Sequence, residues 1–202
     1  HEAKAAQQQL ERMSQSQIDA IVKAMSEAAV AEAARLAAMA VEETGFGKVA
    51  DKTVKNRFAA INVYEAIKEM PTVGIIRRDD QRKVWEVAQP FGVVAAIIPS
   101  TNPTSTVIFK CLVSIKARNA IVISPHPSAL RCTQEAASTM RLAAEKAGAP
   151  AGLIQCLSRP SIEASNELMK HKLTDVILAT GGSAMVKAAY SSGKPAFGVG
   201  PG

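Results

Sequence analysis

The glycine pair Gly181–Gly182 follows an apolar run and opens a predicted helix. Two glycines allow a ligand to approach the backbone closely, and a helix N-terminus offers unpaired N–H groups with a partial positive charge. The segment Thr180–Ser183 is therefore suited to bind a pyrophosphate or a similar anion. The alternative is a tight strand-to-helix turn that needs glycine only for its backbone angles. Because the spacing G-x-G-x-x-G is absent from the sequence, the glycine pair by itself leaves both interpretations open.

A second candidate is His126, which lies between two prolines in the segment Ser124–Ser128, directly after another apolar run. The prolines favour an extended loop. The imidazole is then available to contact a ligand, or it is simply exposed to solvent, and the spacing does not separate the two. His171 follows Lys170 at the end of a predicted helix, where it is expected to interact with the helix dipole.

Asn102 lies in the segment Thr101–Asn102–Pro103, after the first of the apolar runs. A side-chain amide at such a place could donate a hydrogen bond to an oxyanion that forms during acyl chemistry. The alternative is that the Asn-Pro pair only initiates a turn.

The three cysteines, Cys111, Cys132 and Cys156, are expected to be small core residues rather than nucleophiles. They fall in an apolar helix, near the start of the next helix and in a strand. No CxxC or Cys/His pattern is present, so neither a zinc site nor a disulfide framework is predicted. Reduced thiols favour a cytoplasmic location.

The composition argues against two classes of partner. The formal net charge is +6, but basic residues are mixed with carboxylates, as in the segment Arg77–Asp80, and no basic stripe with interleaved aromatic residues occurs. Nucleic-acid binding is therefore not predicted. No apolar run approaches the roughly 20 residues that span a bilayer, and the chain does not open with a basic-then-apolar leader, so no membrane association is expected.

Residues 1–70 are predicted to be helical, because Ala, Gln, Glu and Lys dominate and apolar residues recur at helical spacing. Ser16 with Asp19 resembles a capping box at the start of the second helix. Gly45 is expected to end a long alanine-rich helix. The next helix, over residues 48–70, carries four apolar side chains on one stripe: Phe58, Ile61, Tyr64 and Ile67.

Residues 71–90 are predicted to form a β-hairpin, since β-formers lie on both sides of a polar turn at 78–81. The strands carry charges and the single tryptophan, Trp85. Such a hairpin is expected to be an edge or interface ribbon rather than part of a buried sheet.

Residues 91–202 alternate five short apolar runs with helical segments, which is typical of a parallel sheet covered by helices on both faces. The predicted fold is α/β: a doubly wound, Rossmann-like, mostly parallel sheet, preceded by the helical region and the hairpin. In such sheets ligands bind beyond the carboxyl ends of the strands, near the topological switch point. Function is therefore expected in the loops 99–103, 124–128, 158–161, 180–183 and 198–202.

Several motifs, taken together and in this order, closely resemble the CoA-acylating aldehyde dehydrogenases, and the resemblance extends from about Val87 to the end of the chain. They are the segments Ser100–Thr106 (STNPTST), Ser124–Pro127 (SPHP), Leu178–Gly182 (LATGG), Ala188–Ala196 (AAYSSGKPA) and Gly198–Gly202 (GVGPG). The resemblance implies the reaction of an aldehyde, CoA and NAD⁺ to an acyl-CoA and NADH.

The same resemblance implies roles for individual residues. Asn102 matches the oxyanion-hole asparagine, Gly181 and Gly182 match the pyrophosphate-binding turn, and Gly198 occupies the region where hydrolytic members carry a glutamate base. A missing base suits thiolysis by CoA, because no water has to be activated. The predicted cofactor-binding residues share a position in the loops at the carboxyl edge of the sheet, with two of them, Pro125 and His126, beside the adenosine. They are Pro99, Ser100, Thr101, Ser124, Pro125, His126, Thr180, Gly181, Gly182, Ser183, Gly198 and Val199.

The family's nucleophilic cysteine belongs to a catalytic domain that follows the segment 198–202, and none of the three cysteines present matches it. The chain is therefore predicted to be the cofactor-binding portion, inactive by itself. The hairpin resembles the family's oligomerisation ribbon, which implies a homo-oligomer. The alternatives are a stand-alone nucleotide-binding module, a structural piece that docks through the hairpin, and a non-acylating NAD-dependent dehydrogenase. The choice between NAD and NADP stays open.

Overall fold

The chain is described by a computed structural model over residues 1–200. It begins with helices only, as predicted: α1 (Glu2–Leu10), α2 (Gln15–Ala31), α3 (Ala33–Thr44) and α4 (Val49–Ile67). The helix α3 ends at Gly45, whose φ of 71° is the left-handed cap conformation that glycine adopts without strain. The predicted end of the alanine-rich segment is confirmed, although the segment is two helices that meet at Glu32.

The start of α2 differs from the prediction. Ser14 is the capping residue, and its hydroxyl accepts a hydrogen bond from the backbone N–H of Gln17, whose side chain accepts one from the N–H of Ser14. The predicted pair of Ser16 and Asp19 was wrong because both lie inside the helix. Asp19 instead accepts a hydrogen bond from the ammonium of Lys116.

Only half of the predicted apolar stripe of α4 packs against the core: Tyr64 and Ile67 are partly buried there, whereas the other two residues face solvent. Phe58 is 59% exposed and Ile61 is 36% exposed. The buried face carries Ala59 and Ala60, together with Asn56. Small side chains let α4 pack closely against α2, α3 and α5, so residue size rather than hydrophobicity decides which face is inside.

The predicted hairpin is confirmed as a separate two-stranded antiparallel sheet of β1 (Gly74–Asp79) and β2 (Val84–Ala88). Both strands are largely exposed. Arg78 pairs with Trp85 across the strands, and its guanidinium carbon lies 4.8 Å from the centre of the indole ring. The ribbon therefore extends an aromatic and several aliphatic side chains into solvent.

The second sheet has five parallel strands in the order β5-β4-β3-β6-β7, which confirms the doubly wound α/β fold. The chain starts in the middle of the sheet and moves to one edge, then returns to the centre and moves to the other. The switch point therefore lies between β3 and β6. The elements are β3 (Val93–Ile97), α5 (Pro103–Lys116), β4 (Ala120–Ser124), α6 (Leu130–Lys146), β5 (Ile154–Cys156), α7 (Ile162–Lys170), β6 (Val176–Thr180), α8 (Ser183–Tyr190) and β7 (Ala196–Val199).

Helices cover both faces of this sheet. Along β3, Val94 and Ala96 belong to the main apolar core, which also includes side chains of α2, α5 and α6. Ala95 and Ile97 point into a second core, which contains Met169 of α7 and residues of α8. The N-terminal helices thus share their core with the sheet. No helix within residues 1–200 is both long and apolar enough to cross a bilayer.

Candidate functional site

The strand register brings most of the predicted site residues to one edge of the sheet. Ile97 pairs with both Ser124 and Ala179, and Ala179 pairs with Gly198, so the ends of β4, β3, β6 and β7 form one row. The loops that follow these strands begin side by side at the carboxyl edge. Of the last predicted loop, Pro201 and Gly202 lie outside the described residues.

The glycine pair lies at the switch point, after β6 and before α8. Gly182 has φ −62° and ψ 160°, and neither glycine adopts the left-handed conformation. A Cβ atom added to Gly182 would meet nothing within 4 Å, and one added to Gly181 would make only an ordinary contact, 3.7 Å from Met185. The interpretation as a turn that needs glycine for its backbone angles is therefore wrong. Because neither glycine carries a side chain, the backbone of this turn stays accessible to a ligand.

The open space over this turn faces the start of α8. No side chain caps the helix. The N–H of Met185 donates to the carbonyl oxygen of Gly182, whereas those of Ser183 and Ala184, the first two helical residues, have no intrahelical acceptor. The N–H of Gly181 itself donates to the carbonyl oxygen of Val199, at 3.2 Å, which holds the turn against β7. An uncapped helix start with open space over two glycines is an arrangement that can bind a phosphate group.

Asn102 is positioned at the start of α5, with Pro103 as the first helical residue. Its carbonyl oxygen accepts a hydrogen bond of 2.6 Å from the hydroxyl of Thr106. Its side chain makes no capping bond, so the amide is not consumed by the turn that the Asn-Pro pair initiates. Both interpretations of Asn102 are thus compatible with the geometry, because the backbone forms the turn and the side chain stays available.

Lys110 is a residue at this edge that the sequence analysis missed. It lies on α5, is only 2% exposed, and donates hydrogen bonds of 2.7 Å to the carbonyl oxygens of Ile97 and Leu178. Burial lowers its pKa from the ordinary 10.5 to about 7. The signal in the sequence was a single lysine inside the apolar stretch Val107–Leu112, which a buried helix does not carry without a partner.

The Ser124–Ser128 loop is divided into a buried and an exposed part. The hydroxyl of Ser124 lies 2.8 Å from that of Ser165 and is buried, so the side chain is used inside the protein rather than at the surface of the loop. His126 is exposed, and its Nδ1 accepts a hydrogen bond from the N–H of Ser128. This bond orients the imidazole, and the predicted contact of both residues with a cofactor stays a prediction.

Gly198 is glycine because of packing. A Cβ atom there would lie 2.6 Å from Cγ1 of Val186 and 3.0 Å from the ring of Tyr190, both on α8. The N–H of Gly198 donates to the Tyr190 hydroxyl at 3.0 Å. A glutamate side chain therefore has no room at position 198. The neighbouring Val199 is exposed.

The three cysteines occupy sites that suppress their reactivity. Burial raises the pKa of Cys111 far above its ordinary value and raises that of Cys156 to about 12. Burial, together with the carboxylate of Glu43, also raises the pKa of Cys132 to about 12. A thiol with such a pKa is protonated at neutral pH and is not a nucleophile. Within residues 1–200, no cluster of His, Cys, Asp and Glu side chains could hold a metal ion.

The five-stranded parallel sheet, the glycine pair at its switch point and the separate hairpin define a doubly wound α/β protein, and comparison with known proteins assigns the family. The chain belongs to the aldehyde dehydrogenase family, whose model matches residues 1–197. It is 50% identical over 199 residues to the bifunctional aldehyde-alcohol dehydrogenase AdhE of Escherichia coli (strain K12), covering 98% of this chain and 22% of that protein.

Two solved structures show how closely the fold is shared. An acetylating aldehyde dehydrogenase from Geobacillus thermoglucosidasius is 71% identical and superposes with a TM-score of 0.98, over 100% of this chain and 44% of that one. A propionaldehyde dehydrogenase from Rhodopseudomonas palustris with bound propionyl-CoA is 34% identical, with a TM-score of 0.89, over 100% of this chain and 44% of that one. The chain thus spans less than half the length of the relatives it matches.

Proposed function

We propose that this chain is the dinucleotide-binding portion of a CoA-acylating aldehyde dehydrogenase, which converts an aldehyde, CoA and NAD⁺ to an acyl-CoA, NADH and a proton. The observation that carries the proposal is the glycine pair. Neither Gly181 nor Gly182 is required by backbone angle, and Gly182 meets no neighbouring atom, yet both leave the uncapped start of α8 open at the switch point. A pyrophosphate would be held there by backbone N–H groups.

The remaining residues of the edge take complementary parts in this proposal. His126 and Pro125 lie beside the adenosine end of the dinucleotide. The side-chain amide of Asn102 donates to the oxygen of the aldehyde when that oxygen becomes negatively charged. The nicotinamide, when bound, accepts a hydride from the substrate. The attacking thiolate comes from the part of the longer relatives that this chain does not span, since all three thiols here are held protonated.

Two observations favour CoA over water as the acyl acceptor. Position 198, near which hydrolytic members are expected to carry a base, has no room for a side chain. The propionaldehyde dehydrogenase of Rhodopseudomonas palustris, which is similar over the whole chain, binds propionyl-CoA. NAD⁺ is proposed as the dinucleotide on the resemblance of the motifs at the carboxyl edge.

A second role is proposed for the hairpin, on a different observation. Ile75, Val84, Trp85 and Val87 are all exposed on a ribbon that is not part of the main sheet. An apolar ribbon of this kind favours pairing with another subunit, because an exposed edge with large apolar side chains is prone to association. A homo-oligomer is the proposed state of the complete protein.

The experiment that tests the proposed function is a calorimetric titration of the folded 202-residue chain with NAD⁺. Saturable binding is expected, and it should be lost in Gly182→Val, whose Cβ enters the open space with no protein atom within 4 Å. The matched control is Ala38→Val, which adds bulk at an exposed position on α3 and should bind as the parent does. A folded parent chain that does not bind NAD⁺ would overturn the proposal and favour the structural role.

A further inference from the structure

The loop that carries Asn102 is tied to α4, a helix of the N-terminal region. The ammonium of Lys52 donates a hydrogen bond of 2.6 Å to the carbonyl oxygen of Thr101. The hydroxyl of Thr104 donates one of 2.9 Å to the side-chain oxygen of Asn56. These two contacts lie one residue before and two residues after Asn102, and both cross between segments that are nearly 50 residues apart in the chain.

The groups on α4 are buried in a way that simple packing does not explain. Lys52 is only 7% exposed, and within residues 1–200 the carbonyl of Thr101 is its hydrogen-bond acceptor and no carboxylate pairs with it. Burial, and then the charge of Lys55, lower its pKa. Burying an ammonium is unfavourable, so an apolar side chain would serve packing better.

Asn56 is held in place from its other side. Its amide donates a hydrogen bond of 2.9 Å to the carbonyl oxygen of Ala33, at the start of α3. The side-chain oxygen that receives the Thr104 hydroxyl is therefore fixed by two helices rather than one. With the bond from Thr106 to the carbonyl of Asn102, the carbonyl groups of residues 101 and 102 and the hydroxyl of residue 104 all have partners, whereas the amide of Asn102 caps nothing.

We propose that Lys52 and Asn56 are positioning residues for Asn102: by clamping Thr101 and Thr104, α4 aims the Asn102 amide at the carboxyl edge of the sheet. This inference deepens the proposed function and rests on it for the chemical purpose of the amide. The clamp itself is a property of the folded chain. The clamp gives the N-terminal helical region a role in the site, since α4 supplies both contacts.

The clamp is tested with two variants that each remove one contact and keep the side-chain size. Lys52→Met removes the donor to Thr101, and Thr104→Val removes the hydroxyl bound to Asn56. The matched controls are Lys48→Met, at the exposed residue that precedes α4, and Thr53→Val, at a half-buried position of α4; neither side chain forms a hydrogen bond with the loop. Amide hydrogen exchange is followed by NMR at Thr106 and Val107, where α5 begins, and over α4 and the sheet.

Both clamp variants should accelerate exchange at the start of α5 by about tenfold, the loss expected for one buried hydrogen bond, while the rates in α4 and in β3–β6 stay at the parent level. The controls should leave all these rates unchanged. Unchanged exchange at Thr106 and Val107 in both clamp variants would overturn the proposal. So would a general rise over α4 and the sheet with a matching fall in thermal midpoint, because that result describes ordinary packing.

A second readout separates this proposal from the proposed function. If the parent chain binds NAD⁺, both clamp variants should raise its Kd about fivefold, since a loop predicted to contact the cofactor must then be ordered on binding. The controls should bind as the parent does. If NAD⁺ does not bind the parent chain, the proposed function fails, while the exchange measurement still decides whether α4 clamps the loop.

Discussion

The ammonium of Lys110 lies 2.7 Å from the carbonyl oxygen of Leu178 and at the same distance from that of Ile97. Ile97 and Leu178 belong to β3 and β6, the two strands between which the chain changes direction in the sheet. One buried side chain from α5 thus joins the two strands that flank the proposed dinucleotide site. Its charge state and its hydrogen bonds affect both the stability of the fold and the geometry of this edge.

Lys110→Met should change how stability depends on pH. Burial lowers the pKa of Lys110 from the ordinary 10.5 to about 7 in the folded chain. Between these two pH values the unfolded chain keeps a proton that the folded chain has already lost. Stability from this group therefore rises with pH over that range, by up to about 1.4 kcal/mol per pH unit. The free energy of unfolding of the parent, measured by urea unfolding, should therefore increase relative to that of the variant from pH 7 to pH 8.5.

At pH 8.5 the variant should be less stable by about 2 kcal/mol, because two carbonyl oxygens lose their donor. Lys55→Met serves as the control, since Lys55 is exposed. A stability difference between Lys110→Met and the parent that does not change with pH would mean that Lys110 is charged across the whole range.

Gly182→Val and Gly198→Val should differ in their effect on stability. Valine at position 182 meets no atom within 4 Å of its Cβ, so the free energy of unfolding should stay within about 0.5 kcal/mol of the parent. Valine at position 198 collides with Val186 and Tyr190 and should cost about 1–3 kcal/mol. Chemical denaturation measures both. An equally large loss in Gly182→Val would show that this glycine is required by packing.

The cysteines should be inert in the folded chain. Their raised pKa values keep all three thiols protonated at pH 8, so labelling by a thiol-specific disulfide reagent should be at least about 100-fold slower than in denaturant. Absorbance of the released thiolate follows the reaction. Rapid labelling of Cys156, the least buried of the three, would show that the carboxyl edge near β5 opens readily.

Trp85 should report on pairing of the hairpin. It is 59% exposed and is the single tryptophan of the chain, so its fluorescence comes from the ribbon alone. Raising the protein concentration should shift its emission to shorter wavelength if ribbons pair, because the indole then leaves water. Trp85→Ala should weaken the self-association seen by sedimentation while changing monomer stability by no more than about 0.5 kcal/mol. If the chain self-associates but its emission does not change with concentration, the interface does not include Trp85.

Local patterns predicted the elements of the sheet well. The five apolar runs became β3 to β7 with ends shifted by at most one residue, and the hairpin formed with its turn at 80–83, two residues later than predicted. Apolar β-branched runs that stop at Gly, Pro or Ser carry enough information over five or six residues to define a strand. The family motifs in the loops could be recognised for the same reason, since each motif is contiguous in the chain.

Predictions that required knowledge of a distant neighbour were less successful. The buried face of α4 could not be read from hydrophobicity, because the close approach of α3 and α5 selects Ala59 and Ala60 over Phe58. The hydroxyl of Ser124 could not be known to meet Ser165, 41 residues further along. Capping of α2 was ambiguous because Ser14 and Ser16, two residues apart, carry similar patterns and only backbone conformation separates them.

The sequence by itself determined the α/β class, the parallel strands and the loops in which function was expected, because hydrophobic periodicity and turn residues act over short stretches of chain. Only the tertiary structure decided that the glycine pair keeps space open rather than forming a strained turn. It also brought Lys110 against the two central strands and Lys52 against Thr101. Those contacts join residues between 13 and 68 positions apart, and the burial that gives a lysine its unusual pKa exists only once such segments pack.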